Sequence, residues 1–92
     1  MDEIVKDIRD MAARNSWTEI DHQESIQMIS FTKGTARLNV YYSRPWRMTV
    51  GTVLNHPTVG RQQLSRKYVR SPELERIFEN PRAHTGKGYY RK

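Results

Sequence analysis

The sequence predicts a single two-layer α+β domain: an N-terminal helix, a four-stranded antiparallel meander, then a short C-terminal helix and a basic tail. Three observations lead there. Apolar residues recur at helical spacing near both ends of the chain, alternate with polar ones through its middle, and 92 residues are too few to divide between two cores. The domain is expected over residues 1–80, with the tail over 81–92.

The first helix is expected over about residues 2–14, where Ile4, Ile8, Met11 and Ala12 share one face with Val5 beside them. Asp2 and Glu3 complement the dipole at its start, and Asn15-Ser16 offers a stop before Trp17. An acidic amphipathic helix of this kind is more often a packing element than a partner-binding one.

Period-two patterns follow. The run Ile26–Thr32 joins the next through Lys33-Gly34, a short turn signal, and this pair reads as a hairpin. In the second run Ala36, Leu38, Val40 and Tyr42 share one face, and Thr35, Arg37, Asn39 and Tyr41 the other. Ser43-Arg44-Pro45-Trp46 makes a turn because proline presets φ and cannot donate to a central ladder. Met48, Val50, Thr52 and Leu54 then oppose Arg47, Thr49, Gly51 and Val53, and Asn55–Gly60 reads as a loop. Over residues 61–69 Leu64 and Tyr68 are expected inward against Ser65 and Lys67, which strands Arg66 on the inner face unless this strand is an open edge.

The second helix is announced by Ser71 as N-cap, Pro72 at the first helical position and Glu73 and Glu75 in the first turn. Leu74, Ile77 and Phe78 form its apolar stripe, and Pro81 ends it after Asn80. Beyond lie eleven residues with Arg82, Lys87, Arg91 and Lys92 and no acid, expected to be mobile alone and to order on binding.

Charge is strongly partitioned within a net of +6. Residues 1–24 hold three cations against seven carboxylates, whereas residues 25–72 hold eight cations and no Asp or Glu. Surfaces normally intersperse signs, so an acid-free stretch of this length points to a polyanionic partner. Eleven of the sixteen basic residues are Arg, the side chain suited to planar, bidentate contact with phosphate.

With both helices on one sheet face, the other is expected to be open and to display Arg37, Tyr41, Arg47 and Lys67. Cations interleaved with an aromatic ring suit RNA or single-stranded DNA, since guanidiniums neutralise phosphates while a ring stacks on a base. Tyr41 is the expected stacker, Arg44, Trp46 and Arg61 flank the face, and Arg82, Lys87 and Arg91 form an arm for the phosphate backbone.

Several chemistries are excluded. The absence of cysteine removes disulfides, thiolate catalysis and cysteine-ligated zinc. His22, His56 and His84 lack ligand spacing, so neither metal nor cofactor is expected, and carboxylates absent from the sheet deny two-metal nuclease chemistry its ligands. No catalytic residue is assigned, and the role predicted is non-enzymatic. One alternative is a protein-interaction module that docks an acidic surface or self-associates as a homo-oligomer through its acidic helix and basic sheet. Another is a metal-independent ribonuclease using His56, His84, Lys87 and Tyr90. With no apolar stretch long enough to span a membrane and charges breaking any signal-like opening, an intracellular protein without a membrane partner is expected.

Overall fold

A computed structural model describes residues 3–56 and 60–81. Helix α1 spans Glu3–Arg14 and α2 spans Ser71–Glu79. Between them run β1 (Thr18–Gln23), a 3-10 turn at Glu24–Ile26, β2 (Met28–Lys33), β3 (Ala36–Tyr41), β4 (Met48–His56) and β5 (Gly60–Val69). The strands form one antiparallel sheet in the order β1-β2-β3-β4-β5, so each pairs only with its sequence neighbours. The α+β class and the helix–meander–helix order are as the sequence predicts, with one strand more.

That extra strand is β1, which lacks an apolar alternation because burial is not what holds it. It is an edge strand with a bulge between Glu19 and Asp21 that leaves Ile20 unpaired and 47% exposed. Arg9 of α1 latches it. The guanidinium donates from Nε and Nη2 to the two Glu19 carboxylate oxygens at 2.7 and 3.0 Å, and Nη2 lies 3.3 Å from His22 Nδ1. Arginine only donates, so Nδ1 accepts, Nε2 carries the proton, and the Tyr42 hydroxyl oxygen accepts it at 2.6 Å.

Turn chemistry sets the other boundaries. Ser16 takes a left-handed φ of 67° just past α1, where Trp17 N bonds Ala12 O at 2.8 Å and Ser16 N bonds Ala13 O at 3.1 Å, a Schellman closure. Gly34, at φ 61°, occupies the first central position of the two-residue loop between Lys33 and Ala36, where a type II′ turn needs glycine. Helix α2 starts one residue earlier than its sequence suggests: Arg70, not Ser71, is the N-cap, and its backbone N–H reaches Glu73 Oε1 at 3.5 Å.

Both helices bury their apolar stripes on the same sheet face. Val5, Ile8, Met11 and Ala12 of α1 and Leu74, Ile77 and Phe78 of α2 meet Ile29, Phe31, Leu38, Val40, Met48, Val50 and Val69. Phe78 is the hub, edge-on to Phe31 at 5.4 Å and to Trp17 at 5.8 Å, and its carbonyl accepts the Trp17 indole N–H at 2.8 Å. Arg14 and Glu75 tie the helices together through two hydrogen bonds of 2.7 and 3.2 Å. Arg66 does lie on the inner side of an edge strand, and it reaches out to Glu73 of α2 at 3.0 Å. Among the described residues no helix is long and apolar enough to cross a membrane.

Candidate nucleic-acid interface

Strand parity places Arg37, Asn39 and Tyr41 of β3 on the uncovered face, beside Val53, Gly51 and Thr49 of β4. Gly51 lies between Asn39 and Ser65 and leaves the centre of this face without a side chain. Arg37 Nε donates to Asn39 Oδ1 at 3.0 Å, and the same oxygen accepts the Ser30 hydroxyl at 2.6 Å, so Arg37 lies along its own strand.

At one end of the face the sheet departs from simple alternation. Met48 pairs with Val69 and Val50 with Arg66, so Thr49 faces two residues, Lys67 and Tyr68. Strict alternation would have turned Tyr68 into the core and Val69 out. The bulge reverses both: Val69 is fully buried, and Tyr68, at a left-handed φ of 62°, is 67% exposed. The inward placement of Tyr68 read from the sequence is therefore wrong, because one extra residue in β5 shifts the parity of everything after it.

The turn from β3 to β4 closes the other side. Arg47 N bonds Arg44 O at 2.9 Å, with Pro45 and Trp46 at the two central positions. This places Arg44 and Arg47 at the base of the turn and raises Trp46 into solvent, 64% exposed. Trp17 alone of the two tryptophans is buried. The Arg47 guanidinium lies 5.6 Å from the Tyr68 ring centre, a cation–π stack.

The result is an open cleft of about 380 Å³ lined by Tyr41, Ser43, Arg44, Arg47, Thr49, Lys67 and Tyr68. Four residues singled out in the sequence thus meet in one place: Tyr41, Arg44, Arg47 and Lys67. Trp46 adjoins them through the turn. Arg37 and Arg61 share the face by register but do not line the cleft. Arg82, Lys87 and Arg91, with His84 and Tyr90, lie outside the described residues, as does the side chain of His56. Tyr68 was missed. The signal that betrays it is the Tyr68-Val69 pair, since a β-strand cannot turn both neighbours inward.

Electrostatically the cleft differs from its surroundings. Arg44, Arg47 and Lys67 form no ion pair with a carboxylate among the described residues, and neither do Arg37 and Arg61. On the helix side Lys6–Asp10, Arg9–Glu19, Arg14–Glu75 and Arg66–Glu73 are all paired. The hydrogen bonds from Arg14 hold the Glu75 carboxyl below its ordinary pKa, and those to Glu19 raise that of Arg9. No group of three His, Asp or Glu side chains that could hold a metal ion occurs among the described residues.

Compared with known proteins, the chain matches no family model, no curated protein and no solved structure.

Proposed function

We propose that this domain binds RNA or single-stranded DNA without catalysing a reaction, using the uncovered sheet face and the basic tail. The observation that carries the reading is the convergence of Arg44, Arg47 and Lys67 with two exposed tyrosines on one cleft, with no carboxylate among the described residues paired to these cations. Three cations and two rings offer what a nucleotide chain presents, phosphates at regular spacing and bases with open faces. Arg37 and Arg61 continue the positive surface along the same face, and Arg82, Lys87 and Arg91 supply an arm that follows the backbone.

An electrophoretic shift series with single-stranded RNA, single-stranded DNA and duplex probes across salt tests this. Binding that falls steeply with salt, roughly 0.7 in log K per log unit for each phosphate contacted, is the expected result. A flat salt response, or no binding at low salt, overturns it.

A second reading has its own observation. Glu3 and Asp7 of α1 line a groove of about 580 Å³ with Gln27, Tyr42, Ser43, Pro45 and Ser71, on the far side of the same turn. A neighbouring copy that set its basic cleft against this groove would make a head-to-tail contact. Sedimentation of the nucleic-acid-free protein reads it directly, as a mass that rises with concentration and falls with salt.

A further inference from the structure

The assignment of the base-stacking position changes once the β5 bulge is considered. We propose that Tyr68, not Tyr41, is the stacking platform of the cleft, and that the ligand class is therefore the unpaired nucleotide, its base on Tyr68 and its phosphate against Lys67 and Arg44. This rests on the nucleic-acid reading and narrows it.

The backbone supplies the first argument. Left-handed φ values disfavour residues with a Cβ, and a bulky ring there is an outlier. Elsewhere among the described residues the chain fills such positions with Gly34, Gly60, Ser16 and Gln27, and only at 68 with an aromatic. Glycine would shape the same bulge without strain. The core does not explain the choice either, because the bulge delivers Val69 to the core and leaves Tyr68 two-thirds exposed. A strained, exposed aromatic next to cations that have no carboxylate partner among the described residues is what a binding site retains and a packing site would not.

The second argument is geometric. The bulge puts Lys67 and Tyr68 side by side on one face, so consecutive residues offer a cation and a ring to the phosphate and base of a single nucleotide. Arg47, stacked 5.6 Å from the Tyr68 ring centre, steadies a ring that stays two-thirds exposed. Tyr41, on the adjacent strand but one, is more enclosed at 41% exposure and serves as a wall. A cleft of about 380 Å³ lies at the small end of the range of ligand pockets. It suits one nucleotide, and a base inside a duplex keeps its faces covered by its neighbours, so only an unpaired one can reach the ring.

The test compares the intact chain with Tyr68→Gly, Tyr68→Asn and Tyr68→Phe by thermal unfolding and by calorimetric titration with an oligouridine of about ten nucleotides, within the usual site sizes of single-strand binders, and with a duplex of equal length. Glycine and asparagine both accept a left-handed backbone, so either variant keeps the fold and gives a melting temperature equal to or above that of the parent. Both are expected to lose about 5- to 100-fold in affinity for the single strand, the range stacking supports, and to leave duplex binding within about twofold. Tyr68→Phe keeps the ring and stays within about threefold of the parent. Unchanged single-strand affinity in Tyr68→Gly and Tyr68→Asn overturns the proposal while leaving the nucleic-acid reading intact. Failure of the parent chain to bind either probe overturns that reading and this proposal together.

Discussion

The two faces of this sheet are built by the same strands and differ in almost every respect. On the helix-covered face aromatic side chains are buried and touch each other, as Phe31, Phe78 and Trp17 do, and at its margin Arg9 pairs with Glu19 and Arg14 with Glu75. On the bare face the aromatics stand in solvent and, among the described residues, the cations form no ion pair with an acid. A strand's two-residue period lets one stretch of chain serve both ends, with alternate positions stabilising the domain and meeting a ligand. Substitutions on opposite faces should therefore separate stability from binding.

The largest effect is expected from the hub of the covered face. Phe78→Ala removes a ring that contacts Phe31 and Trp17 and should lower unfolding free energy by about 3–5 kcal/mol, read by urea denaturation. A loss below about 1 kcal/mol would mean α2 is not integral to the core. On the bare face the converse holds: Arg44→Ala with Arg47→Ala should change stability by no more than about 0.5 kcal/mol per site. The pair should weaken single-strand binding by about 1.5–3 kcal/mol and reduce the salt slope by about 1.4. If this variant loses its thermal transition instead, the turn is a structural element and the division of labour fails there.

A smaller change sharpens the covered side. Thr52 is fully buried between Leu38 and Leu64, and its hydroxyl has no hydrogen-bond partner among the described residues. Thr52→Val keeps the shape and removes that unmet polar group, so stability should rise by about 1 kcal/mol with binding unchanged. A lower melting temperature would show that the hydroxyl is satisfied.

The smallest effect concerns pH. Glu75 titrates below its ordinary value of 4.5 when folded, first because Arg14 hydrogen-bonds its carboxylate. A lowered folded-state pKa stabilises the domain above the unfolded value and withdraws that stability as pH falls through the folded one. Glu75→Gln should lower the melting temperature slightly at neutral pH, by little because the pair is exposed, and flatten its decline below about pH 4.5, where parent and variant converge. A parent and variant with parallel acid limbs would show the contact contributes nothing.

The sequence made the covered face readable and the ends of the bare one less so. Helix α1 and strands β3 and β4 announce themselves because their apolar periods are unbroken, and Leu38, Val40, Met48 and Val50 are buried as alternation requires. Strand β1 hid because Thr18–Gln23 is held by backbone pairing and by Arg9, neither of which leaves an apolar pattern. Tyr68 hid for another reason. A bulge inserts one residue without a Gly or Pro to mark it, and alternation counted from Leu64 then assigns the wrong face to everything downstream. Arg66 illustrates the opposite case, an apparent misfit on the inner face that an edge position and Glu73 resolve.

The contrast between the two tryptophans gives the molecule a pair of built-in optical reporters. Trp17 is 5% exposed, with its indole N–H bound to the Phe78 carbonyl, so its emission is set by a rigid apolar shell and shifts to the red only when α2 leaves the sheet. Trp46, 64% exposed at the tip of the turn beside the cleft, already emits as a solvated indole, and a base arriving nearby would quench it without disturbing the first signal. Unfolding and occupancy are thus readable from one unlabelled sample, and Trp46→Phe isolates the buried reporter.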